Sequence, residues 1–361
     1  MKAIADAGAC EPGRSDRAQH RRSHTLRIAR KVKETLDAYS FELDVPAALA
    51  DLFAYRPGQF VTFELPAEEG RSISRCYSLS SAPHEGRIKF TVKRVREGFA
   101  SNYICDRWAE DSWVKVSLPG GNFVRKPGVR DILLIAAGSG VTPIISILKS
   151  VLESEQEEVV LFYANRDEAS VIFAEELRGL AARYPSRLLQ IHWLESVQGI
   201  PTVAALSTLL APWDDREAFI CGPAPFMDAA HAALISIGIV EERIYQERFS
   251  FDTDSPKRDL PESVGDSEDA DTVVLSAHLD GKQHEFNWPR NVTLLDFLLK
   301  QGVRAPYSCR AGGCSACACR VTEGEVRMLR NDVLGQQDLD EGVVLACQAI
   351  PMSHRVAVTY E

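Results

Sequence analysis

The chain has 361 residues, 45% hydrophobic and 25% charged, an ordinary soluble composition that excludes wholesale disorder, collagen-like repeats and a disulfide-stapled miniprotein. Its length points to two or three domains with separate cores. A formal net charge of −10 argues against a nucleic-acid surface, and no stretch approaches the roughly 18 apolar residues that a membrane helix needs.

Residues 1–24 mix charge, Gly and Pro without the apolar run of a signal peptide. They read as a disordered lead on a cytoplasmic protein. Residues 25–125 carry alternating segments (FELDV, QFVTFEL, RCYSLSS, IKFTVKRV, WVKVSL) between Gly and Pro turns, the pattern of a small antiparallel β-barrel. In RCYSLSS, Arg75 offers a fork for a pyrophosphate, Tyr77 a ring that can lie against an isoalloxazine, and Ser78 a hydroxyl for its N5 region. A surface strand with one Arg is the plainer alternative. Lys93 follows in TVKRV, and Gly98 to Ser101 open a helix whose amides suit a phosphate.

Residues 126–249 alternate short apolar runs with amphipathic stretches, which indicates βαβ units around a parallel sheet. The first run, DILLIA, ends in Ala137-Gly138-Ser139-Gly140-Val141-Thr142-Pro143, where glycines at a strand-to-helix turn let a dinucleotide approach the backbone. Phe219-Ile220-Cys221-Gly222-Pro223 stands at another strand end. Cys221 is either core packing or a nicotinamide contact. Glu247 and Phe249, in YQERF, are either interface or site residues. After VVLFYA come Asn165, Arg166 and Asp167; Asp167 suits ribose hydroxyls and repels a 2′-phosphate, whereas Arg166 attracts one. The adjacent acid favours NADH.

Residues 250–271 hold almost no large apolar side chain and carry a net charge of −6, which reads as a solvated acidic linker. With about 22 flexible residues its reach is on the order of 25 Å, enough to return to a neighbouring domain. Residues 272–361 begin with a hairpin about Asp280-Gly281 and a short helix, TLLDFLLKQG. Then Cys309, Cys314 and Cys317 stand in the order C-x4-C-x2-C, with Cys347 thirty residues beyond, the spacing of a plant-type [2Fe–2S] centre. Gly312, Gly313, Ser315 and Ala316 allow the loop to curl with its amides inward. A structural zinc site is the alternative, but zinc favours two C-x2-C pairs. Cys319 reads as a buried thiol outside the ligand set. No Cys-x-His pair exists for a Rieske centre, so the chain passes electrons rather than activating oxygen itself.

Together these motifs resemble the ferredoxin–NADP reductase superfamily, in the subgroup with a C-terminal plant-type ferredoxin, over about residues 25–361. Within it, RCYSLSS, ASNYICD, GNFV, FYANRD, HWLES, FICGP and NDVLGQQDLDEGVVLACQ are similar to the reductases of 3-ketosteroid 9α-hydroxylases. The resemblance implies an FAD barrel at 25–125, an NAD-binding α/β domain at 126–249 and an α+β, β-grasp ferredoxin domain at 272–361. It implies FAD contacts at Arg75, Tyr77, Ser78, Lys93, Gly98 and Ser101. Nicotinamide contacts are implied at Gly138, Gly140, Thr142, Cys221 and Gly222, and cluster ligation by the four cysteines. Asn165, Arg166, Asp167 and Phe249 complete the cofactor set, and Tyr77, Ser78, Cys221 and Glu247 are candidates for its reacting end. The expected function is electron transfer from NADH through FAD and the cluster to a Rieske-type terminal oxygenase. An aromatic-ring or phenylacetyl-CoA oxygenase reductase, a redox-sensing iron–sulfur flavoprotein and a self-standing flavin oxidase are the alternatives.

Overall fold

The computed structural model describes residues 23–66, 72–125, 130–154, 156–249, 272–279, 281–303, 305–307, 309–310, 312–331 and 333–360. The expected linker, residues 1–22 of the expected lead and Asp280 of the expected turn lie outside the described residues.

Six antiparallel strands, β1 (Ser23–Lys33), β2 (Ala38–Asp44), β3 (Phe60–Pro66), β4 (Ser72–Ser78), β5 (Ile88–Lys93) and β6 (Trp113–Ser117), form a sheet in the order β4-β3-β6-β1-β2-β5. Its two edges meet where Leu79 bridges Phe90 and the Ser80 amide donates to the Lys89 carbonyl, closing a barrel. Alternation turns Phe41, Phe63 and Phe90 inward, where they meet Trp108 from the end of α1 (Phe99–Arg107), with ring centroids 4.4 to 6.2 Å apart. One boundary differs from the sequence reading: Ser23 and His24, assigned to the lead, are strand. Their polar composition hides this, because pairing opposite Ser117 and Val116 of β6 supplies the hydrogen bonds that local pattern does not advertise.

A parallel sheet follows, in the order β11-β10-β7-β8-β9. Its strands are β7 (Ile132–Ala137), β8 (Val159–Asn165), β9 (Leu188–Leu194), β10 (Glu217–Cys221) and β11 (Ile244–Glu247). Ile132, Leu134 and Ala136 face α2 (Val141–Ser154) and α3 (Ala174–Arg183), while Leu133, Ile135 and Ala137 face α4 (Val203–Leu210) and α5 (Ala224–Ser236). Two covered faces explain the continuous apolar runs in these strands. The order reverses between β7 and β10, so their carboxyl ends border the crevice where such sheets bind ligands.

The third unit is a mixed sheet, β13-β12-β18-β14-β16, made of β12 (Thr272–Leu279), β13 (Lys282–Pro289), β14 (Ala318–Glu323), β16 (Val343–Leu345) and β18 (Arg355–Thr359). It wraps α6 (Leu294–Lys300) around a core of Trp288, Leu295, Leu298 and Val356. A two-stranded ribbon of β15 (Val326–Met328) and β17 (Ala349–Pro351) is added beside it.

Barrel and parallel sheet are joined by two buried lysines and two half-buried glutamates. Lys149 of α2 donates to the Ser80 carbonyl at 2.9 Å, Glu85 at 2.7 Å and Glu176 of α3 at 2.8 Å, and Lys89 of β5 donates to Glu176 at 2.9 Å. Burial works against the Glu85 charge, but Lys149, Arg87 and the Ala82 amide outweigh it and bring its pKa down to about 2. A depressed carboxyl contributes stability above its ordinary range and loses it as pH falls toward 2. Replacing Lys149 with Met leaves Glu85 and Glu176 facing each other without their shared cation. We expect a loss of about 3–5 kcal/mol in chemical denaturation, the cost of breaking a buried pair from one side. A loss below about 1 kcal/mol, the scale of a surface pair, is the contrary result.

Candidate functional site

A cavity of about 390 Å3 opens between barrel and parallel sheet. Of the residues expected from sequence, Arg75, Tyr77, Ser78, Lys93, Gly98, Ser101, Thr142, Glu247 and Phe249 line it. So does Cys309 of the cysteine loop. β4 delivers Arg75 and Tyr77 to one side by its period of two. The loop after β5 delivers Gly98 and Ser101: the Ser101 hydroxyl accepts from the Val95 amide at 3.0 Å, and Asn102 donates to the Val95 and Gly98 carbonyls at 3.1 and 2.8 Å. A side chain at Gly98 would press within 2.9 Å of Val95, so only glycine lets the helix start this tightly.

In the cavity wall the two domains are joined by Ser78, whose hydroxyl donates to Glu247 at 3.1 Å. Burial raises the Glu247 carboxyl to about 8, with the Ser78 hydrogen bond acting the other way. Burial also raises the Tyr77 hydroxyl, against the pull of Arg75, and lowers the Lys93 ammonium, against that of Asp37.

At the switch point, a Cβ on Gly140 would stand 2.1 Å from the Cys221 carbonyl and 2.6 Å from the Gly222 amide. Gly140 is therefore required by the close approach of β7 and β10 as well as by any ligand. Gly138 has φ of 53° and open space beside it, with the Lys93 ammonium 3.7 Å from where a Cβ would sit. Cys221 does not reach the cavity; its side chain is fully buried in the core, and burial followed by the Glu247 charge pushes its thiol well up.

The segment after β8 is arranged differently from the sequence expectation. Asp167 caps a turn, accepting from the Ser170 amide at 2.8 Å and its hydroxyl at 2.6 Å, bonds that hold its carboxyl low. Arg166 donates to Asp37 at 3.0 Å. Asn165 is buried, and its side-chain amide approaches the Tyr163 hydroxyl without a hydrogen bond of normal geometry. Buried amides of this kind find partners, so its place at the carboxyl edge of the sheet fits a nucleotide ligand. Sequence reasoning missed Asp37, which joins Arg166 to Lys93. It sits in the turn between β1 and β2, where an Asp carries no signal beyond the turn itself.

The cysteine loop fits a two-iron cluster by its donor set. Side-chain contacts bring Cys314 to Cys309 and Cys317 to Cys347, and a two-iron cluster would take these four thiols. Backbone amides already face sulfur: Cys309 donates to Cys314 at 3.3 Å, Gly313 to Cys309 at 3.4 Å and Cys347 to Cys317 at 3.5 Å. The curl requires positive φ at Gly312 and Ser315, as small residues there suggest, and also at Arg310, which sequence did not signal. Cys314 also touches Cys76 of β4, so the loop abuts the barrel. Cys319 is buried in β14.

Comparison with known proteins agrees with this division. Residues 25–124 match the oxidoreductase FAD-binding domain family, 134–232 the oxidoreductase NAD-binding domain family and 277–352 the 2Fe-2S iron-sulfur cluster binding domain family. The 3-ketosteroid-9-alpha-monooxygenase ferredoxin reductase component of Mycolicibacterium smegmatis is 49% identical over 342 residues, covering 93% of this chain and 96% of that protein. One subunit of the 1,2-phenylacetyl-CoA epoxidase of Escherichia coli is 32% identical, covering 94% of this chain and 98% of that protein. Phthalate dioxygenase reductase, a solved structure, shares the fold with a TM-score of 0.58 at 23% identity, covering 94% of this chain and 99% of that one. The chain thus belongs to the FAD-, NAD- and [2Fe–2S]-binding oxidoreductases that serve as ferredoxin reductase components of monooxygenases.

Proposed function

We propose that this chain is the reductase component of a 3-ketosteroid 9α-monooxygenase, drawing on NADH and supplying a Rieske-type terminal oxygenase in the cytoplasm. The observation that carries its electron-transfer role is Cys309, a cluster ligand that lines the same cavity as Tyr77, Ser78 and Glu247. When bound, FAD links a two-electron hydride donor to the one-electron steps that a [2Fe–2S] cluster accepts. Arg75 and the amides at the start of α1 would hold the flavin diphosphate, and Tyr77 would lie against its ring. Ser78 and Glu247 join the two domains in the wall of the same cavity. Lys93, beside Gly138, would meet a phosphate, Thr142 and Phe249 line the cavity, and Gly140 and Gly222 would let a nucleotide approach the backbone. Cys221 acts from behind by keeping the β10 carbonyl against Gly140.

NADH is favoured because Arg166 is already held by Asp37 and Asp167 keeps a negative charge beside it. The steroid assignment is supported by the identity to the Mycolicibacterium smegmatis protein over nearly the whole chain. No helix among the described residues is long and apolar enough to cross a membrane. A reducing cytoplasm also suits the thiol-rich loop.

The test mixes the purified chain with the oxygenase components of a 3-ketosteroid-9-alpha-monooxygenase, a phenylacetyl-CoA oxygenase and an aromatic-ring dioxygenase. NADH-dependent product formation is expected to be fastest with the steroid enzyme, and kcat/KM higher for NADH than for NADPH. Faster turnover of either other oxygenase removes the steroid assignment, and equal use of both nucleotides shows that Arg166 outweighs Asp167.

A further inference from the structure

The turn after β7 hinges on a glycine whose conformation no side chain of its own can fix. Gly138 has φ of 53° and stands between Ala137, the last residue of β7, and Ser139, which lines the cavity. Glycine moves readily between backbone basins, and a turn that swung over would offer a carbonyl oxygen, instead of an N–H, to an approaching phosphate. A tie comes from the neighbouring strand. Tyr163 of β8, opposite Ala136 in the sheet, donates its hydroxyl to the Gly138 carbonyl at 3.0 Å.

Tyr163 is fully buried in the core between the sheet, α2 and α3, so this bond draws the Gly138 carbonyl toward the interior. The C=O of a trans peptide and the N–H that follows it point in opposite directions. With the Gly138 carbonyl tied to the core, the Ser139 N–H is turned away from it. The Gly138 carbonyl also accepts from the Val141 amide, so the tyrosine is not needed merely to satisfy it; what the hydroxyl adds is direction. On the open side of the turn stands a cation, the Lys93 ammonium, 3.7 Å from where a Cβ on Gly138 would sit. The Ile172 amide and the Asn165 side chain approach the same tyrosine oxygen, so one buried hydroxyl joins the turn after β7 to the segment that ends and follows β8. Burial holds that hydroxyl above its ordinary range, and it stays a donor at every working pH.

We infer that Tyr163 is a positioning residue for the dinucleotide: its hydroxyl holds the Gly138–Ser139 peptide with the carbonyl inward and the N–H toward the diphosphate. Tyr163 touches neither nucleotide nor flavin and acts through the backbone of Gly138. Its contribution is to affinity, because a preformed turn spares the ligand the cost of ordering it. The chemical step at the flavin is left unchanged. The inference rests on the reading that the turn after β7 takes the diphosphate of a nicotinamide dinucleotide.

The test uses the full-length holoprotein with Tyr163→Phe, which removes one oxygen and keeps the ring that packs the core. Calorimetric titration measures the Kd of NAD+ and of ADP-ribose, which carries the diphosphate without the nicotinamide. Both are expected to rise about three- to tenfold, the worth of one hydrogen bond. In stopped flow, the apparent Kd for NADH rises by the same factor while the limiting rate of flavin reduction stays within about twofold. FAD per chain and the thermal midpoint remain near wild type, because the Gly138 carbonyl keeps its backbone partner. Gly138→Ala, which strains the turn directly, is measured beside it and is expected to weaken ADP-ribose at least as much. Unchanged Kd values in the Phe variant with weakened binding in Gly138→Ala overturn the role of Tyr163 and leave the reading of the turn standing. Unchanged binding in both variants overturns that reading and the inference with it. A lower thermal midpoint without a change in Kd assigns Tyr163 to core packing and overturns the inference as well.

Discussion

Replacing Cys347 with serine removes the cluster and stops electron delivery to the oxygenase, while bound FAD and NADH-driven dye reduction remain near wild type. Cys347 lies against Cys317, and its loss would leave three of the four thiolates that a [2Fe–2S] centre needs. The flavin cavity is built from the barrel and the parallel sheet, whose cores are distinct from that of the ferredoxin unit. Of the four cysteines proposed as ligands, all among the described residues, Cys309 alone lines that cavity. Oxygenase-coupled turnover is expected to fall at least about a hundredfold, since the one-electron outlet is gone. Iron content, visible absorption and FAD per chain check the cause. Loss of flavin together with iron is the result that contradicts independent domains.

Changing Glu247 to Gln is expected to slow reduction of the flavin by NADH about 10–100-fold at neutral pH, at or below the range of acid–base groups positioned at a reacting centre. Stopped-flow absorbance measures it directly. The carboxyl is raised to about 8 by burial, so it is neutral at pH 7 and becomes charged as pH passes 8. A carboxylate formed there opposes arrival of further negative charge. The wild-type rate should fall through pH 8, and the Gln variant, which cannot ionise, should show no such fall. The same shift has a stability consequence of opposite sense to that of Glu85. A carboxyl whose folded pKa is raised binds more protons folded than unfolded, so stability is lost as pH rises from its ordinary range to about 8. Matching pH profiles for wild type and Gln variant would remove Glu247 from the reacting end of the site.

Local chemistry makes much of this protein legible in its amino-acid order. The four cysteines proposed as cluster ligands fall within a short loop and one later position, because a [2Fe–2S] centre dictates thiol spacing and small residues at the curl. Strand–helix alternation marks the parallel sheet, since each strand buried on two faces must be apolar throughout. Gly138 and Gly140 stand out because a turn from strand to helix at a sheet edge tolerates few other residues. By contrast, the partners of those groups are set by contacts distant in sequence. Ser78 meets Glu247 across 169 positions and Arg166 meets Asp37 across 129, and neither pairing leaves a trace in local periodicity. Cys221 illustrates the limit: its strand end is legible, but whether its thiol faces ligand or core depends on how β10 packs against β7 and β11. Lys149, Glu85 and Glu176 carry no local signal in the sequence; the seam between domains makes them a stability element. The sequence determined which chemistry is present, because ligand sets and backbone turns are short-range requirements. Tertiary structure decided which groups face one another, because burial and charge pairing arise only when distant segments close on the same cavity.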